Sequence, residues 1–465
     1  MAKPHFDLVL TGGTVANADG VFRGDVAVSG GRIAGVWPAG SAPAFEAREV
    51  RDCTGLWILP GGVDPHVHVG ISFGDVRTEE GHAECTRAAL AGGTTTIVDF
   101  AIPRPGQDPL SAVLERQEAA RKGSLADYVL HGCFTDAHAG DTAQIDDMVG
   151  LGVRTIKVYT TYRDNMMADD ELIAEVMRGL RRHGGLTYVH AEDNTEIEHL
   201  MAGLAAQGPI PYEKIIEARP ESAENTAVAH VIDLARQNDA PVYFVHQSTE
   251  TALELTRAAR AAGVPAFSEV CPHYTLLDES FYKERTGECF TCCPPLRNRV
   301  TVDSVMAKVV AGQVDTIASD HCAFWHGHKA SDGQAHDLGR MPFGMPGVQT
   351  RLPIVLSELV VHRGLPMSRA VELLSAAPAR LSGVYPRKGV VRVGSDADLV
   401  LWSGEGESCI TADGLLQHSD YTPFEGWRVH GRIDAVIRGG VVVHGEGAVD
   451  DIPLGRVVGS GPIAV

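Results

Sequence analysis

The side chains in this sequence whose types and spacing could do chemistry begin with a pair of histidines suited to a metal ion. His66 and His68 stand two apart at the end of Pro60-Gly61-Gly62-Val63-Asp64-Pro65-His66-Val67-His68. In a β-strand, residues i and i+2 share a face, so both imidazoles can reach one point in space. The pair alone is weak, since two histidines on one strand face also occur as polar surface or hydrogen-bonded core. Lys157 lies in Thr155-Ile156-Lys157-Val158-Tyr159, an otherwise apolar and β-branched run, where an inward ammonium is costly to bury and repels a cation. His190, His246 and Asp320 each close a further apolar run. Each has an innocent reading: a histidine bonding a carbonyl, a snorkelling lysine, an aspartate capping a helix. Their shared placement at strand ends is what those readings do not predict.

The elements that must position them follow from periodicity. Strand-like runs cover residues 63–68, 94–100, 128–134, 153–159, 186–190, 242–246, 264–270 and 315–320, with helical patterns between them. Leu172, Ile173, Val176, Met177 and Leu180 keep one apolar face, and Thr251-x-x-Glu254 resembles a capping box before a helix stopped by Gly263. Eight strand-then-helix units predict an α/β chain with a (β/α)8 TIM-like barrel over residues 60–381, its site at the carboxyl ends of the strands. All six residues then share one rim. A doubly wound open sheet is the main alternative, but no glycine-rich dinucleotide fingerprint follows the first strand. Short strands at 6–11, 25–28 and 32–36, and again at 397–402, 435–437 and 441–444, are too few at either end for a stable sheet. They predict one small β-sandwich domain built from both termini, residues 1–59 plus 382–465.

The formal charge of −20 and pI near 5.4 argue against nucleic acid and an anionic membrane surface as partners. No stretch reads as a secretory signal or a membrane span, which points to the cytoplasm. Nine cysteines do not suggest a disulfide framework. Cys289-Phe290-Thr291-Cys292 contains one CxxC without the partners of a structural zinc site, so it reads as loop sulfur.

Seven ordered segments resemble the cyclic amidohydrolases of the amidohydrolase superfamily, dihydropyrimidinase and hydantoinase branch. They are Gly61 to His68, Gly92 to Phe100, Ile156-Lys157-Val158-Tyr159-Thr160-Thr161-Tyr162, Val189-His190-Ala191-Glu192, Cys271-Pro272-His273-Tyr274, Pro294-Pro295-Leu296-Arg297 and Ser319-Asp320-His321-Cys322. The resemblance implies two divalent metal ions, zinc first, with manganese, cobalt or nickel also suited to such ligands. It assigns His66, His68 and Asp320 to one ion and His190 and His246 to the other. Lys157, carbamylated by carbon dioxide to N6-carboxylysine, would bridge them. It implies hydroxide attack on a ring carbonyl, Tyr162 donating to the oxyanion, and Asp320 as base and then acid, giving an N-carbamoyl amino acid.

Val69-Gly70 follows His68 where dihydroorotases carry a carboxylate-binding arginine, so a small neutral cyclic amide is the expected substrate. Phe73, in the loop Ile71-Ser72-Phe73-Gly74, resembles the apolar wall facing a ring substituent, though loop packing explains it equally. Cys293 stands where hydantoinases often have serine, and Phe343 where they often have a ring-binding asparagine. These two departures keep allantoinase and other cyclic imide or amide hydrolases in play. A non-catalytic, dihydropyrimidinase-like scaffold is the reading from another class, and metal content discriminates it. The resemblance also implies a homo-oligomer, tetramer or dimer.

Overall fold

The computed structural model describes residues 3–73, 76–330 and 337–463, with Phe73 described by its backbone alone. Seven parallel strands, Gly62–His68, Thr94–Phe100, Asp127–Cys133, Thr155–Tyr159, Leu186–His190, Val242–Phe244 and Ala266–Val270, pair in chain order. The eighth strand is two dipeptides. Thr316–Ile317 pairs with the seventh strand and His321–Cys322 with the first, which closes the barrel. Sequence reading predicts one continuous run over 315–320; the run breaks because Asp320 adopts a left-handed backbone, φ 49°. Six of the seven continuous strands are buried at every position, and in Ala266–Val270 only Phe267 is partly exposed. This is why they read as unbroken apolar runs instead of alternating ones.

The helix Asp170–Arg181 buries the Leu172, Ile173, Val176, Met177 and Leu180 face, and Asp169 caps it by accepting from the Leu172 amide. The helix after the sixth strand corrects the sequence reading. It spans Glu250–Ala261, and Thr249 is the cap, accepting from the Ala252 amide at 3.1 Å. Thr251 and Glu254 lie inside the helix, and Glu254 pairs with Lys308 at 2.7 Å. Gly263 follows the helix end with φ +90°, a conformation glycine adopts without steric cost.

Eight strands from the two chain ends form a second, mixed sheet: His5–Asn17, Gly20–Ser29, Arg32–Pro38, Glu46–Asp52, Trp57–Pro60, Leu399–Cys409, Arg428–Arg438 and Val441–Gly445. Trp57–Pro60 joins the ends, pairing in parallel with the first of these strands and antiparallel with Leu399–Trp402. Leu8, Leu10, Val26 and Val28 from one end pack with Leu399, Leu401, Ala435 and Ile437 from the other in one apolar core. A buried charge cluster fastens this sheet to the barrel. Lys388 contacts Asp127 at 2.5 Å, Asp396 at 3.0 Å and Asp398, while Arg438 reaches Asp127 at 3.0 Å. Asp127 opens the third barrel strand, so the cluster lies at the barrel end opposite the rim.

Candidate metal centre

Where the first and eighth strands meet, two imidazoles and a carboxylate form a tight triangle. His66 Nε2 lies 3.1 Å from His68 Nε2 and 3.1 Å from Asp320 Oδ1, and His68 Nε2 lies 3.3 Å from the same oxygen. Ligands about 2.0–2.1 Å from a tetrahedral zinc ion are separated by about 3.3 Å, so these atoms have the spacing of three corners of such a site. A ligand atom of His246 joins those of His66 and Asp320 within 4.8 Å, and the Cys322 thiol lies within that distance of His68 and Asp320. Burial alone would push the Asp320 carboxyl up, but the charge of His66 and hydrogen bonds from both histidines hold it well below the usual range. Burial lowers His68 to about 4. It also works against His66, which the charges of Asp320 and Glu269 nevertheless raise to about 8.

The fifth and sixth strands supply the next two imidazoles. The His190 and His246 rings meet edge to face at 4.6 Å, and His246 lies 5.4 Å from His66. Burial lowers both below the ordinary histidine value. His68 Nδ1 and His246 Nδ1 are buried without a hydrogen-bond partner among the described residues. Core histidines held for packing alone are ordinarily hydrogen-bonded. Lys157 is 1% exposed, with its ammonium 5.3 Å from the Phe100 ring centre and 5.0 Å from that of Tyr159. Among the described residues no carboxylate comes within ion-pair distance of it. Burial pushes it down to about 8 against the opposing charges of Asp320 and Glu269. The carboxylate and the imidazoles that converge at this rim therefore fit a cationic group, whereas the Lys157 ammonium beside them would repel one.

Two carboxylates behind the imidazoles escape the sequence reading. Glu269, 0% exposed on the seventh strand, accepts from His66 Nδ1 at 2.8 Å, the His246 amide at 2.9 Å and the Tyr243 hydroxyl at 2.7 Å. It thereby orients one imidazole and fixes the backbone of another, the usual task of partners behind metal-binding histidines. Its only sequence signal is a charge inside an apolar strand. Glu192, also 0% exposed, takes His190 Nε2 at 2.7 Å and Arg219 Nη1 at 2.5 Å. Its signal is its place two residues past His190 in a motif.

Tyr162 stands at the rim after the fourth strand, its ring 5.4 Å from His190. Burial raises its hydroxyl well above the ordinary value, and it interacts with the Cys293 thiol, which burial lifts to about 12. Phe343 is half-buried, and the Arg219 guanidinium carbon lies 5.9 Å from its ring centre. Cys293, Phe343 and Tyr162 therefore gather around Arg219, while the Phe73 side chain lies outside the described residues. Cys289 and Cys292 are buried free thiols. Among the described non-glycine residues five have positive φ: Tyr162 (71°), Asp164 (60°), Asp239 (47°), His246 (38°) and Asp320 (49°). Three of the five belong to this rim, where strained backbone aims side chains that regular strands would not.

Residues 57–443 match the amidohydrolase family. The chain is 35% identical over 438 residues to a D-hydantoinase of Streptomyces coelicolor, covering 93% of each. It is 34% identical over 443 residues to a D-phenylhydantoinase of Escherichia coli, covering 95% of each. The crystal structure of dihydropyrimidinase from Brevibacillus agri superposes with a TM-score of 0.93 at 31% identity, over 98% of this chain and 99% of that one.

Proposed function

The chain belongs to the amidohydrolase family, and on that premise we propose that it is a hydrolase that opens the C–N bond of a neutral cyclic amide or imide, of the hydantoin and dihydropyrimidine kind. The observation that carries this reading is the triangle of His66, His68 and Asp320, with His190, His246 and Lys157 on the same rim. His66, His68 and Asp320 would hold one divalent ion, His190 and His246 a second, and Lys157, as its carbamate, both. Zinc is the first choice of metal. When bound, the ions supply Lewis acidity and a lowered pKa for water.

The chain's own groups do the rest. Asp320 Oδ1 faces the two imidazoles, and the carboxylate takes a proton from the attacking water and returns it to the leaving ring nitrogen. The Tyr162 hydroxyl donates to the carbonyl oxygen as negative charge develops. Its resting partner, the Cys293 thiol, is a weak hydrogen-bonding group that a substrate oxygen displaces. Burial lowers Lys157 to about 8 and so raises the share of neutral amine that carbamate formation with carbon dioxide needs. Phe73, Cys293 and Phe343 are the proposed walls of the ring pocket.

Residues 1–59 with 382–465 are taken as one folding unit and 60–381 as the catalytic one. Nine free thiols suit a reducing cytoplasm, and a homotetramer or dimer is the proposed assembly. The test is a side-by-side assay of metal-supplied protein on dihydrouracil, 5-substituted hydantoins, allantoin, dihydroorotate and succinimide, with metal content measured. Opening of hydantoins or dihydrouracil is expected; if every ring stays closed, the reading fails.

A further inference from the structure

Arg219 is 6% exposed and belongs to none of the ligand or reacting groups above, yet four features of the rim meet on it. Its Nη1 donates to Glu192 Oε2 at 2.5 Å, the oxygen that also takes His190 Nε2. Its guanidinium carbon lies 4.8 Å from the Tyr162 ring centre, within the ~6 Å range over which an aromatic face attracts a cation. The Phe343 ring flanks it, and its charge acts on the Cys293 thiol. Its carbonyl is fixed by Arg297 Nη1 at 2.7 Å, and Arg297 is itself held by Ser248 Oγ at 2.9 Å and Glu224 at 3.2 Å. The Arg219 backbone is thus anchored between the loop carrying Cys293 and the turn after His246.

We propose that Arg219 is a positioning residue that sets the Tyr162 phenol for its hydrogen bond to the reacting carbonyl, tying it to the Glu192–His190 pair; this rests on the assignment of Tyr162 as oxyanion donor. Two physical consequences follow from a cation over that ring. It draws electron density from the phenol oxygen, so the O–H donates more strongly to developing negative charge. It also holds the side chain of a residue whose left-handed backbone, φ 71°, needs support from its surroundings. A clamp for an acidic substrate is a poorer reading, because the guanidinium is already paired with Glu192 and almost wholly buried.

The test is a double-mutant cycle on wild type, Arg219→Ala, Tyr162→Phe and the double variant, assayed on a 5-substituted hydantoin and on dihydrouracil with metal content determined for each. Arg219→Ala is expected to lower kcat about 100-fold, the scale of losing one oxyanion donor, with KM changed less than about threefold. In the Tyr162→Phe background the same change should cost less than about threefold, since coupled residues are not additive. Arg219→Lys keeps Glu192 paired, guarding against loss of the fold: metal content and melting temperature should stay at wild type. Its kcat should still fall about tenfold, again only when Tyr162 is present. Equal losses in both backgrounds, or loss of bound metal in Arg219→Lys, would overturn the proposal. Wild-type turnover by Tyr162→Phe alone would instead remove the assignment beneath it, and is read from that single variant.

Discussion

Replacing Glu269 by glutamine removes one charge behind the metal centre while leaving every hydrogen bond a geometric route to survive. Glu269 Oε1 accepts both His66 Nδ1 and the His246 amide, and an amide oxygen can occupy that position. Oε2 accepts the Tyr243 hydroxyl, which also lies 2.5 Å from Thr316 Oγ1. With the glutamine NH2 at Oε2, Tyr243 turns its proton to Thr316 and accepts from the amide instead. What is lost is the charge on the two bonds at Oε1. Charge-assisted hydrogen bonds are worth about 1 kcal/mol more than neutral ones, so the two together amount to about 2 kcal/mol. If this appears in metal affinity, it is about 30-fold, within the range known for partners behind metal-bound histidines. The assay is a zinc titration of chelator-stripped Glu269→Gln against a competing chromogenic chelator, with circular dichroism to verify the fold. Wild-type affinity in a folded variant would refute the argument that Glu269 orients and polarises His66.

Asp320→Asn should lower kcat by about 10³-fold, the range of a lost general base, and single-turnover assays on metal-replete protein check it; substantial turnover with metal bound would reassign the base. Chelation should abolish ring opening, and divalent metal with bicarbonate should restore it in wild type but not in Lys157→Ala. Thr249→Ala should cost about 1 kcal/mol in thermal unfolding and Thr251→Ala little, because only Thr249 caps its helix. Lys388→Met leaves Asp127, Asp396 and Asp398 short of a cation and should cost about 3–5 kcal/mol. Over 465 residues, at about 2.1 cal/mol/K each, that is a fall in melting temperature of about 3–5 °C. Burial pushes the Asp127 and Asp396 carboxyls up, but Lys388 outweighs it and holds both below the ordinary value. Their contribution is present above the unfolded value of about 3.9 and is lost as pH falls below it. Asp398, which burial raises, works the other way. The acid-induced fall in melting temperature should therefore be shallower in Lys388→Met than in wild type.

The barrel was legible because its strands are buried along almost their whole length, so burial itself writes unbroken apolar runs of strand length. The strand Glu46–Asp52 was not, since its sequence Glu-Ala-Arg-Glu-Val-Arg-Asp is largely exposed and carries no apolar face. The join between the termini is legible, but the strand that makes it is not, for a different reason. Trp57–Pro60 runs directly into the first barrel strand in sequence, and only its pairing with Leu399–Trp402 assigns it to the other sheet. The helix cap is ambiguous in sequence because a capping box needs only a spacing, and Thr249 and Thr251 both lie near the same helix start.

For the rim, the split is between residue type and residue partner. Histidines, a lysine and an aspartate at strand ends announce their chemistry by type, whereas Glu269 gains its meaning from His66, 203 residues away. Local periodicity cannot see such a pair. Nor can it see that the run ending in Asp320 must break: an unbroken strand would alternate its side chains between the barrel interior and the helices. The left-handed turn at Asp320 splits the strand between its two neighbours and brings the carboxylate to both imidazoles of the first strand. The same backbone strain at His246 and Tyr162 shows that aiming these side chains, more than supplying them, is what the folded barrel adds to the sequence.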